Sequence, residues 1–197
     1  KVEMLNLFSA PIYSTQLNLN TNKITKYCLS VKKKTKGIRH SNEGGWHSPF
    51  LVGAHPPLND LFKEILKAGE IYRNTISYKY PLALQSVWIN INSHKDYNLE
   101  HIHPHNVVSG TYYLTSENSD IVFINPARDV MCYDWGWDAI EKYNEHNSCT
   151  WNIKPAQNQL ILFPSWLNHS VERNLNKKDR MCIAFNLIKE PNNENKN

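Results

Sequence analysis

The chain of 197 residues has no apolar run long enough to cross a membrane. Its longest, such as Leu160 to Pro164, lasts a few residues against the ~20 that a spanning helix needs. It is poor in cysteine. Cys28, Cys132, Cys149 and Cys182 lie far apart and form no C-x-x-C pair, which argues against a disulfide framework or thiolate metal knuckle and for a reducing, cytoplasmic compartment. The opening residues do not read as a signal peptide. Seven Gly and ten Pro are too few for collagen-like or linker character. Net charge is only +4, and much of the basic excess sits in Lys32, Lys33, Lys34, Lys36 and Arg39. That run reads as a solvated helix end, and no zinc-finger spacing or other nucleic-acid module accompanies it.

Aromatic residues are plentiful, with six Trp, ten Tyr and six Phe in a chain that is 41% hydrophobic. Disordered chains lack that complement, and the length suits one domain with a core of its own. We expect a single domain over 1–197, with helical support over 1–80, a β core over 81–190 and a frayed polar tail over 191–197.

Local patterns refine this. Leu7 to Tyr13 reads as a short extended start. Ile24, Tyr27, Cys28 and Val31 recur at helical spacing behind the polar caps Asn20 to Asn22, and Leu58, Leu61, Phe62, Ile65 and Leu66 mark a second helix that Gly69 weakens. Beyond Pro81 the period changes. Ser86 to Asn92 alternates Val87, Ile89 and Ile91 with Trp88, Asn90 and Asn92, which predicts a strand with dissimilar faces. Further strands are expected at Ser109 to Thr115, Asp120 to Ile124, Thr150 to Ile153, Gln159 to Phe163 and Met181 to Leu187. They follow one another too closely for crossover helices. The pattern therefore predicts a mainly β, antiparallel domain with the N-terminal helices packed outside. Ala127 to Asn147 reads as an insertion anchored by Trp135, Trp137 and Tyr143.

Three of the nine histidines fall in the pentad His-Ile-His-Pro-His at 101 to 105. On an extended backbone His101 and His103 project to the same side, and Pro104 holds the residue before it extended. His105 shares their parity only if the strand outlasts the proline. A metal needs a third ligand from elsewhere, and His169, just behind the apolar strand Leu160 to Phe163, is the best placed. Arg180 opens the strand that follows, with a planar fork suited to gripping a carboxylate.

The ordered set Trp-Ile-Asn at 88–90, His-Ile-His-Pro at 101–104, Ser-Gly-Thr-Tyr-Tyr-Leu at 109–114, Asn-Pro-Ala-Arg at 125–128, Phe-Pro-Ser-Trp-Leu-Asn-His-Ser-Val at 163–171 and Arg-Met-Cys-Ile-Ala-Phe-Asn at 180–186 resembles the small 2-oxoglutarate/Fe(II) oxygenases of bacteria and bacteriophages. The resemblance implies a double-stranded β-helix (a jelly roll, cupin-like) holding Fe(II) near its open end, in the cytoplasm of a bacterial or phage-infected cell. It implies metal ligands at His101, position 103 and His169. It further implies that Arg180 grips the far carboxylate of 2-oxoglutarate with Tyr113 as second donor. The reaction implied takes O2 and hydroxylates a C–H bond of a small molecule or protein side chain, releasing succinate and CO2. Asn90 is a candidate for bonding 2-oxoglutarate. Asn92, His105, Arg128 and Trp166 are candidates for substrate contact or ligand support. Position 103 departs from the usual pair of His and one carboxylate. Either the site has three His, or an acid such as Asp120 or Asp96 completes it. The open edges of such a fold offer a surface for a homodimer. Two other readings stay open: a cupin-like three-His metal enzyme that does not use 2-oxoglutarate, and a non-catalytic jelly-roll binding or structural module.

Overall fold

The computed structural model describes residues 6–116, 119–136 and 138–191, without the side chains of Cys132 and Trp135. Most of the predicted tail, 192–197, lies outside these residues, as does Trp137. Helix α1 (Thr21–Lys34) begins where the sequence predicts. Asn20 caps it by accepting from the Lys23 N–H at 3.0 Å, and Lys32, Lys33 and Lys34 occupy its last turn, where they complement the free carbonyls. Helix α2 (Asn59–Thr75) follows a short turn of 3-10 helix at Pro56–Leu58 and buries Leu61, Ile65, Ala68, Gly69 and Tyr72. A Cβ on Gly69 would come within 2.7 Å of Leu187 Cδ1. The glycine lets the helix lie close on the sheet, which offsets its low helix propensity.

Eleven strands are described: β1 (Tyr13–Gln16), β2 (Asn42–Glu43), β3 (Trp46–His47), β4 (Leu82–Asn92), β5 (Tyr97–His101), β6 (Val108–Tyr113), β7 (Ile121–Ile124), β8 (Thr150–Ile153), β9 (Gln159–Pro164), β10 (His169–Val171) and β11 (Arg180–Lys189). They form a six-stranded sheet in the order β1-β9-β6-β11-β4-β3 and a five-stranded sheet in the order β2-β5-β10-β7-β8. All pairings are antiparallel, and among the described residues neither sheet closes on itself. The fold is thus mainly β, two antiparallel sheets with N-terminal helices.

Strand parity sorts the core into two layers. Val87, Ile89, Ile91, Tyr112, Leu160, Leu162, Ile183, Phe185 and Leu187 pack with Leu58, Leu61, Ile65 and Tyr72 from the helical side. The alternate residues Tyr113, Ile161, Phe163 and Cys182 pack against Ile121 and Phe123 from the second sheet and Leu167 from the turn before β10. Gly110 is required where Phe185 crosses β6, since a Cβ there would also sit 2.6 Å from the Ile161 carbonyl oxygen. The insertion carries helix α3 (Arg128–Trp135). Tyr143 corrects the expected anchoring: it is 55% exposed and lies on the surface. Cys28, Cys149 and Cys182 are free thiols, and no helix among the described residues is long and apolar enough to cross a membrane.

Candidate metal and keto-acid site

The histidine cluster is set by register. β10 pairs with β5 so that His169 lies opposite His101, and His103 follows two residues beyond the end of β5. Its backbone N–H is held by the Ser165 carbonyl at 2.9 Å. Pro104 and His105 then turn, His105 with a φ of 66°, so the strand does not outlast the proline and His105 leaves the cluster. One ring nitrogen from each of His101, His103 and His169 lies within 4.8 Å of the others.

Hydrogen bonds fix two of the tautomers. His101 Nδ1 donates to the Leu99 carbonyl at 2.7 Å and His169 Nδ1 to the Leu167 carbonyl at 2.9 Å, leaving each Nε2 with its lone pair. Burial pushes all three imidazoles down, His103 to about 4, with the neighbouring rings adding to the fall at His103 and His169. Neutral imidazoles are the form that binds a metal, and three of them fit Fe(II). Among the described residues no carboxylate joins the cluster. Asp96 accepts from the Ser93 N–H at 2.8 Å. Glu100 is held by Arg128 at 3.2 Å and by Asn168.

The cluster lines a cavity of about 470 Å³ between the sheets, which Arg180 also lines. Arg180 is 2% exposed. Its Nε donates to the Ser119 carbonyl at 3.2 Å, one terminal nitrogen reaches Cys182 Sγ at 3.5 Å, and the guanidinium carbon sits 5.2 Å from the centre of the Tyr113 ring. Among the described residues it has no carboxylate partner. Among the described residues the Tyr113 hydroxyl and Thr111 Oγ1 are buried without a well-formed hydrogen bond, each lying near the other and Tyr113 near Arg180. Burial pushes the Tyr113 phenol up, against the opposing pull of Arg180, so it remains a donor. A buried cation without an anion costs several kcal/mol. The donor set fits an acidic ligand such as 2-oxoglutarate.

Asn90 lines the same cavity, opposite His47 in the β3–β4 pairing, and its amide has no hydrogen-bond partner among the described residues. The other candidates lie elsewhere. Asn92 is buried and donates to Asn98 Oδ1 at 3.0 Å. Arg128 opens α3 and pairs with Glu100 and Asp129, each at 3.2 Å. Trp166 is 54% exposed and does not line the cavity. Sequence reasoning passed over His40, His47 and Phe50, all of which line it. They reach it through the two-residue strand β3 and its flanks, which carry no periodic signal.

The model of the family described as "Putative 2OG-Fe(II) oxygenase" matches residues 86–186, just over half of the chain and every part of the site from Asn90 to Arg180. The chain belongs to this 2-oxoglutarate/Fe(II) oxygenase family. The oxygenase is accordingly an enzyme that depends on Fe(II) and 2-oxoglutarate. Solved structures share its fold. A prolyl-4-hydroxylase from Pseudomonas putida is 9% identical with a TM-score of 0.65, over 94% of this chain and 96% of that one. HygX from Streptomyces hygroscopicus, with nickel and 2-oxoglutarate bound, is 13% identical with a TM-score of 0.64, over 91% and 83%. A prolyl hydroxylase from Trichoplax adhaerens, in complex with a hypoxia-inducible-factor peptide fragment, is 12% identical with a TM-score of 0.61, over 90% and 83%. At these identities the likeness is one of fold. Among curated proteins none is similar enough to count as a relative of the oxygenase.

Proposed function

We propose that His101, His103 and His169 hold Fe(II) and that Arg180 grips the C5 carboxylate of 2-oxoglutarate, with the Tyr113 hydroxyl as second donor. Asn90 supplies a further hydrogen bond to the keto acid, and the two sheets act as one jelly roll, a double-stranded β-helix, in a single domain. The observation that carries this reading is the pairing, in one cavity, of three convergent neutral imidazoles with a buried guanidinium that has no anion among the described residues. When bound, iron and 2-oxoglutarate supply O2-driven hydroxylation of a substrate C–H bond, with release of succinate and CO2.

The residues bind, orient and exclude water. The Leu99 and Leu167 carbonyls hold two imidazoles with Nε2 unprotonated, that of His101 accepting a long 3.4 Å bond from Ser41 Oγ, so no proton has to leave a ring before metal binds. Arg180 and Tyr113 fix one end of the keto acid, and a planar fork sets its orientation better than an ammonium. Phe163, Ile121 and Ala184 line the cavity with apolar surface, which strengthens these charged contacts by keeping water out.

The three-His set favours one rival, a cupin-like metal enzyme that ignores 2-oxoglutarate. Anaerobic iron stoichiometry together with 2-oxoglutarate-dependent succinate formation separates the two. Wild type binds one Fe(II) and forms succinate. H169A loses both while remaining folded. H103D, which installs the usual carboxylate, keeps iron. Iron binding at wild-type stoichiometry in H169A contradicts the ligand set, and iron without any 2-oxoglutarate binding establishes the rival.

A further inference from the structure

Four aromatic side chains that the chemistry above leaves unused close into a ring on one wall of the cavity. His40 lies 4.9 Å from His47 between ring centroids, and His47 stacks on Trp88 at 5.6 Å with 10° between planes. Trp88 meets Phe50 at 5.8 Å, and Phe50 stacks back on His40 at 6.2 Å and 13°. All four line the cavity, and Trp88 meets His103 at 5.6 Å, so the cluster abuts the histidine triad. Trp88 and His47 are buried while Phe50 is 50% exposed, and Leu99 and Ile102, also lining the cavity, remain 47% and 45% exposed. Large apolar side chains left open around a cavity mark a surface that a ligand covers.

The polar groups of the wall are the imidazoles of His40 and His47. His47 Nδ1 donates to the Ser48 carbonyl at 2.6 Å, so Nε2 is an acceptor, and it has no partner among the described residues. The wall has no free charge. Among the described residues Glu100 is the one carboxylate lining the cavity, and Arg128 and Asn168 already hold it. A cationic substrate would find no anion here, and an anionic one would face the electron-rich faces of the rings. A cavity of about 470 Å³ is at small-molecule scale.

We infer that this wall is the substrate subsite of the oxygenase and takes a flat, uncharged ring bearing an N–H or O–H donor. The ring lies against Trp88 and Phe50, and its donor meets His47 Nε2. The assignment deepens the reading under Proposed function and rests on it for the position of the reacting centre. The test uses the full chain loaded with redox-inert Zn(II) and 2-oxoglutarate, titrated by saturation-transfer NMR. The probes are indole, N-methylindole, benzoate and benzyltrimethylammonium. Indole binds, N-methylindole binds at least fivefold more weakly, and both charged probes bind at least tenfold more weakly. In F50A indole weakens at least fivefold, and in H47F its preference over N-methylindole disappears. Wild type that binds 2-oxoglutarate but not indole, or prefers a charged probe, overturns the inference. So do equal affinities for indole and N-methylindole, or an F50A variant that binds indole like wild type. Wild type that fails to bind 2-oxoglutarate contradicts the underlying oxygenase chemistry instead, and the two failures are read from the same sample.

Discussion

On β4 and β11, residues one position apart face different surroundings. Val87, Ile89, Ile91, Phe185 and Leu187 turn toward α1 and α2 in a layer of apolar contacts. The alternate residues Trp88, Asn90, Arg180 and Cys182 turn toward the cavity, where, among the described residues, Arg180 lacks an anion and the nearby Tyr113 and Thr111 hydroxyls lack a well-formed hydrogen bond. The helix-facing layer holds the fold together by burial. The cavity-facing layer keeps groups that the ligand-free protein would be more stable without, which is the usual cost of a site prepared for charged ligands.

If the faces divide in this way, acid should attack one of them. In the metal-free protein burial depresses His47 and His103 to about 4, and it lowers His101 and His169 as well. The unfolded chain, with imidazoles near 6.5, takes up protons first as pH falls. Stability is therefore complete above about pH 6.5 and is lost progressively toward about pH 4, by several kcal/mol in all. Urea unfolding of metal-free protein between pH 7.5 and 4.5 measures this, and a flat profile contradicts the buried, neutral imidazoles.

Substitution on the helical face has the next largest effect. F185A removes a fully buried ring that lies over Gly110 and should cost about 3–5 kcal/mol while leaving the pH slope as in wild type. A loss below ~1 kcal/mol, read from denaturant midpoints, would break the assignment of stability to that face. The smallest effect has the opposite sign. R180M removes a buried unpaired charge, so the ligand-free protein should gain about 1–3 kcal/mol. A marked loss would mean that Arg180 is a structural member of the core.

The helical face was legible in the sequence because its signals are periodic: Ile24 to Val31 at helical spacing, and Val87, Ile89 and Ile91 at every second residue. The strands that position the histidines were not. On β5 the buried residue is the polar Asn98, while the apolar Leu99 is exposed beside Glu100, which inverts the polarity that pattern reading relies on. β10 is three residues long, too short to show any period. His101, His103 and His169 were singled out by spacing and by resemblance, and the register of two strands without a period brings them together. Asn92 shares parity with Asn90 and lies opposite Arg180, yet it does not line the cavity, and its amide donates to Asn98, which does. His40 and His47 offered nothing to find, since pairing between distant short segments creates their cluster.

Arg180 is held ready for an acidic co-substrate. Calorimetric titration of 2-oxoglutarate into iron-loaded, oxygen-free protein tests it directly, comparing wild type with R180A. Removing one partner of a buried charged pair costs about 3–5 kcal/mol, so R180A should bind the keto acid at least ~100-fold more weakly with its iron content unchanged. Binding within about threefold of wild type would contradict the account.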